Sequence, residues 1–172
     1  MVKYVCVLFV LIAFAAPAFA QDYPQMEIAL GYGNINVKDV AEGRHSGFVS
    51  HQAFNITSVL AIENYFGYYG MGSDPNFGKM RLLTDIFGAK FNYRTAGPVI
   101  YGVAGLGGGF LQFPDLGAGT NNSLAFRVGG GVDIPWGDSL AFKVDVSRTS
   151  FHFDGWKSGM NISTGIVLKI SQ

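Results

Sequence analysis

Residues 124–147 read LAFRVGGGVDIPWGDSLAFKVDVS, two strands and the turn between them. Side chains of an extended chain alternate between faces. Leu124, Phe126, Val128, Val132 and Ile134 therefore share one face, against Ala125, Arg127, Gly129, Gly131 and Asp133 on the other. Pro135-Trp136-Gly137-Asp138 supplies turn chemistry. Beyond it Leu140, Phe142, Val144 and Val146 oppose Ala141, Lys143, Asp145 and Ser147. One face is greasy along its whole length; the other is small, with isolated charges.

The rhythm extends both ways. Residues 159–170 set Ile162, Ile166, Leu168 and Ile170 against Asn161, Ser163, Gly165 and Lys169, and residues 25–37 set Met26, Ile28, Leu30 and Tyr32 against Glu27, Ala29, Gly31 and Gly33. Further strands are predicted over 47–56, 59–70, 81–93 and 98–110. Glu63 and Asn64 both interrupt the 59–70 pattern, which leaves its facing open. Short turns near Ser58, Gly97 and Gly137 alternate with long polar stretches at 38–46, 71–80, 111–122 and 150–158. That is how an antiparallel series crosses a bilayer, tight turns on one side and long loops on the other. The predicted fold is all-β, an eight-stranded antiparallel up-and-down transmembrane β-barrel. Its loops near Glu42, Asp74, Leu116 and Asp154 face outward from the cell.

Ahead of the strands, Lys3, the apolar run Val5 to Ala16 and Ala18-Phe19-Ala20 read as a cleaved export signal. Residues 1–20 are the expected signal peptide and 21–172 the barrel domain. Cys6 falls inside the leader, so the mature chain carries no thiol. Lys+Arg 12 balance Asp+Glu 12, which removes the basic excess that nucleic-acid binding needs. Charged residues are 14% of the chain against 15% aromatic, an apolar balance for a water-soluble domain. After the leader no segment approaches the roughly 20 apolar residues of a spanning helix. A closed barrel is then the structure that satisfies the backbone in lipid.

Which face is inside separates two function classes. A soluble lipocalin-like carrier holds a greasy ligand within and shows its charges to water; a membrane barrel inverts this. The charged face here is sparse in charge and rich in Gly, Ala and Ser, which suits a narrow lumen. Arg127, Asp133, Lys143, Asp145 and Lys169, with Glu27, are expected to form a structural charge network there, since buried charge persists only when paired. Tyr93 and Trp136 at the short turns, and Tyr68, Tyr69, Phe110, Phe113, Phe151, Phe153 and Trp156 at the long loops, read as two interfacial aromatic girdles.

Phe66-Gly-Tyr-Tyr-Gly70, Phe87-Gly88 within 81–94, Gly129-Gly-Gly-Val-Asp133 and Ser163-Thr-Gly-Ile-Val167 together resemble bacterial outer-membrane β-barrel domain proteins of the OmpA-like and OmpX-like porin superfamily. The resemblance covers essentially the whole mature chain. It implies eight antiparallel strands, both termini in the periplasm and residence in the outer membrane. Two departures stand out: the chain ends Leu168-Lys-Ile-Ser-Gln172 without a closing aromatic residue, and Asp85 takes a place where the family pattern has an outward aromatic, which suggests a register change or a polar contact.

Catalytic and cofactor chemistry has little to stand on. The cluster Gly105-Leu-Gly-Gly-Gly109 lacks the Gly-Lys-Ser/Thr of a phosphate loop; in a strand, it permits close strand approach or a bent wall. His45, His51 and His152 lack metal-site spacing. Ser150, His152 and Asp154 would share one strand face, the basis for a lipid-hydrolase alternative. Same-face neighbours stand roughly 6.6 Å apart, beyond the reach of a nucleophile to its base. The expectation is a structural or surface-interaction protein: no enzyme, no cofactor, no metal and a polar lumen filled by side chains. Its expected partners are outer-membrane lipid, the barrel-insertion machinery and an extracellular surface partner met by the long loops, with no nucleic acid. The barrel is expected to be a monomer.

Overall fold

The computed structural model describes residues 23–37, 40–41, 43–74, 78–116 and 119–171; the expected leader and cleavage site lie outside them. The strands are β1 (Met26–Val37), β2 (His45–Asn55), β3 (Leu60–Asp74), β4 (Gly78–Arg94), β5 (Val99–Phe113), β6 (Gly119–Pro135), β7 (Leu140–Phe153) and β8 (Gly155–Ile170). A short 3-10 turn, Pro114–Leu116, follows β5. Each strand pairs antiparallel with the next, and β1 pairs with β8, so the sheet closes into a barrel without an edge.

Closure carries a stagger. Direct partners followed from Met26 run through Phe54, Ile62, Ala89, Ala104, Val128, Arg148 and Met160, and return to β1 at Asn36 instead of Met26. A closed sheet with such a shear must tilt its strands against the barrel axis. Residues remote in sequence are thereby brought to one depth.

The greasy face is outside. Leu30, Phe54, Phe87, Phe91, Ile100, Leu106, Phe142, Val146 and Ile166 are all exposed, a continuous belt that water would penalise and lipid accepts. This excludes the soluble carrier, whose greasy face points inward. The facing of β3, undecided by its sequence, resolves with Ala61, Glu63, Tyr65 and Tyr69 buried inside and Ile62 exposed outside. Tyr93, Trp136 and Trp156 are 69%, 70% and 62% exposed, which places them on the outer surface at the strand ends. Gly137 takes φ +80° in the 135–138 turn, a conformation that favours glycine.

Two expectations need correction. Tyr69, expected in the outer girdle with Tyr68, is fully buried in the lumen, as is Phe151; Phe113 and Phe153 pack against the same interior cluster. Adjacent residues of a strand point to opposite faces, so only one of Tyr68 and Tyr69 can meet the lipid interface. Three of the four expected long loops, 71–80, 111–122 and 150–158, are also largely strand. Pairing continues through Ser73↔Lys79, Phe113↔Gly119 and Phe153↔Gly155. Here the outward face turns polar and the apolar residues Met71, Met80, Leu111 and Phe151 point inward, so the apolar-outside alternation fades from the sequence while the backbone ladder persists.

Asp85 shows the polar contact its position suggested: Asn64 Nδ2 donates to its carboxylate at 2.6 Å. Register is unbroken there, with Phe66↔Asp85 paired; the irregularity lies higher, between Gly70 and Ser73.

Candidate functional site

The inward rows of the strands build a lumen of two parts. Nearer the short turns it is ionic. Glu27 accepts from Lys90 Nζ at 2.6 Å, from Arg94 at 3.2 Å and from Asn55 Nδ2 at 3.2 Å. Lys90 also reaches Asp133 at 3.2 Å. Lys143 Nζ sits 2.8 Å from the other Asp133 oxygen, an ion pair without hydrogen-bond geometry. Tyr101 lies among them, with the Lys90 and Lys143 ammonium groups 4.6 and 3.9 Å from its ring centre.

Higher up, Arg127 organises the site. Its guanidinium donates to Glu63 at 2.9 Å, Asp145 at 2.8 Å and Ser147 at 3.1 Å, and lies 4.3 Å from the centre of the Tyr65 ring. Tyr101 donates to the second Asp145 oxygen at 3.1 Å. His51 meets the Tyr65 ring edge-on and places Nδ1 3.5 Å from Glu63. The Tyr65 and Tyr69 hydroxyls hydrogen-bond to each other; Asn161 donates to Tyr65 and accepts from Tyr69, each at 3.1 Å. Carboxylates Glu27, Glu63, Asp133 and Asp145 thus answer cations Lys90, Arg94, Arg127 and Lys143 within one enclosure.

Glycine makes these reaches possible. The register row from Glu63 to Arg127 passes through Gly88 and Gly105, so the guanidinium crosses a floor without side chains. The charge pairs in this confined volume gain from low dielectric only because nearly every oxygen has a partner.

Toward the long-connection end the lumen turns apolar. Ile35, Val37, Val49, Met71, Met80, Leu82, Leu111 and Phe151 form one buried cluster above the tyrosines. The lumen is therefore polar below and hydrophobic above, where the sequence reading had it polar throughout. The inward row of β1 explains the change, since Glu27 near the start gives way to Ile35 and Val37 at the end.

Of the sequence-predicted network, Arg127 and Asp145 touch directly and Asp133 meets Lys143, across the β6–β7 pair. Glu27 joins through Lys90. Lys169 does not join. It stands opposite Glu27 in register, yet the Glu27 oxygens are taken by Lys90 and Arg94, and half-exposed Lys169 forms no ion pair among the described residues. Sequence reading missed Lys90, Arg94, Glu63, Tyr65 and Tyr101. Lys90, Asn92 and Arg94 recur at every second position of β4, a polar alternation that marks their inward face. Ser150 Oγ pairs with Ser158 Oγ at 2.9 Å, and the His152 ring packs edge-on to Trp156. Among the described residues no hydrogen bond joins Ser150 to His152, and no group of His, Cys, Asp and Glu could hold a metal.

Solved structures share this architecture. Neisserial surface protein A superimposes with a TM-score of 0.71 at 14% identity, over 87% of this chain and 100% of that one. Ail, the attachment invasion locus protein of Yersinia pestis, gives 0.60 at 16%, over 85% and 99%. OprG from Pseudomonas aeruginosa gives 0.58 at 11%, over 88% and 98%. No curated protein sequence matches the chain. At these identities the structural likeness speaks for the fold alone. The family model described as "Outer membrane protein beta-barrel domain" matches residues 6–169, and with that match beginning ahead of the first strand and running into the last, the chain belongs to this family and resides in the bacterial outer membrane.

Proposed function

We propose that the protein is a non-conducting, non-enzymatic barrel that braces the outer membrane and carries stiff β-hairpins for contact with an extracellular partner. The observation that carries this reading is the filled lumen, with an ion-paired layer below and an apolar plug above. An eight-stranded barrel is just wide enough for its own side chains, and here a buried apolar cluster caps the ionic layer. What remains available to partners is the lipid-facing wall and the raised hairpins. The wall meets outer-membrane lipid, and the insertion machinery is the partner that a barrel of this kind requires. The barrel itself acts as a monomer, since its closed sheet offers no edge for another copy to extend.

Two measurements test the reading. Refolded protein in planar bilayers is expected to give no steady conductance steps; stable open-channel steps from the unmodified chain would overturn the non-conducting scaffold. Epitope tags at Asp74 and Leu116 are expected to bind antibody on intact cells, and tags at Ser58 and Gly97 only after permeabilisation. The opposite pattern would turn the hairpins toward the periplasm and remove the surface role.

A further inference from the structure

We infer that a groove on the outer wall, where β7, β8 and β1 meet, binds the phosphate group of an outer-leaflet lipid. Arg148 carries the argument. The outward row of β7 is apolar through Leu140, Phe142, Val144 and Val146, and then presents exposed Arg148. With strand rise and tilt combined, Arg148 lies roughly 20 Å above Leu140 along the membrane normal. A barrel's apolar band is about 25 Å tall, so the guanidinium reaches the level where acyl chains give way to headgroups.

Lys90, Arg94, Arg127 and Lys143 in the lumen are paired; exposed Arg148 on the outer wall has no hydrogen-bond or ion-pair partner among the described residues. Its direct neighbours in register are Met160 and, beyond it, Asn36. These residues, with Ser158 and Gly159, line a groove of about 270 Å³. Among the described residues the groove contains a guanidinium, a carboxamide and the Ser158 hydroxyl, which shares a hydrogen bond with Ser150, and no carboxylate. Such a set donates to an anionic oxygen cluster, and the planar guanidinium fork matches phosphate bidentately. Below it the exposed Val146 and Ile162 continue the apolar belt, which suits the acyl chains of the same molecule. Because the groove opens sideways at the lipid boundary, an amphiphile is the occupant and free phosphate is not.

The refolded mature barrel, released from detergent in a native mass spectrometer, tests this with a phosphorylated diglucosamine lipid and its dephosphorylated counterpart. The unmodified chain is expected to retain the phosphorylated form preferentially. Arg148→Gln should lower that preference roughly tenfold, the scale of one charge-assisted bond. Arg148→Lys should keep part of it. Arg81→Gln, which removes another exposed cation at the same end but outside the groove, should leave it unchanged. Preference unaltered in Arg148→Gln, or equally reduced in Arg81→Gln, would overturn the site. Complete displacement of the lipid by inorganic phosphate would overturn the lipid assignment. If Arg148→Gln does not refold, Asn36→Ala combined with Ser158→Ala must lower the preference by itself, and no change in that double variant would equally overturn the proposal.

Discussion

Arg127→Ala is expected to lower the unfolding free energy of the refolded barrel by about 3–5 kcal/mol, the usual consequence of removing one partner from a buried ion pair. Arg127 is 2% exposed and, among the described residues, the only cation that donates to both Glu63 and Asp145. Glu63 would keep His51 Nδ1 at 3.5 Å, and Asp145 would keep the Tyr101 hydroxyl. Neither replaces a guanidinium. The two carboxylates would stand 3% and 0% exposed in an enclosure that admits little water. Urea unfolding in detergent measures the change, with Leu140→Ala as reference. Leu140 faces lipid at 36% exposure, and an acyl chain fills the space its side chain leaves, so its change should stay within about 1 kcal/mol, as surface substitutions do. If Arg127→Ala falls in that range as well, the lumen network does not hold the wall.

The second large effect is expected at Gly131. Its register partners are Tyr101 on β5 and Asp145 on β7, and the Tyr101 side chain crosses it to donate to Asp145 at 3.1 Å. A Cβ at this position would overlap the Val144 carbonyl oxygen and the Tyr101 hydroxyl. The carbonyl belongs to the ladder and cannot withdraw, so Gly131→Val must displace the ring. Overpacking costs about 1–3 kcal/mol, and a hydrogen bond to a charged acceptor contributes about 1.5–3 kcal/mol. A total loss of about 3 kcal/mol or more is expected in the same urea experiment. Combining Gly131→Val with Tyr101→Ala should cost less than the two changes added, because the ring that clashes is gone. Strict additivity would mean that the valine is accommodated without touching Tyr101, and that the glycine is not needed for the reach.

Fold class, strand number and the inside and outside of β1, β6, β7 and β8 were legible in residues 25–37 and 124–170, because the period of two is a local property that each strand writes for itself. The same parity marked Arg127, Asp133, Lys143 and Asp145 as inward. It failed where the pattern ran out: on β3, where Asn64 faces outward to bond Asp85, and above the bilayer, where paired strands read as loops.

Parity says nothing of depth. Tyr69 and Tyr68 differ by one residue and stand on opposite sides of the wall, while Lys169 and Lys90 both face the lumen and only Lys90 is paired. Within the β6–β7 pair the partners follow from neighbouring strands; the longer-range partners were decided by the assembled sheet. The pairings of β3 with β4, β4 with β5 and β5 with β6 set Glu63 in one register row with Arg127 across two intervening strands. The residues between them in that row are Gly88 and Gly105, so the pairing depended on register and on two missing side chains, both properties of the closed sheet and of no single strand.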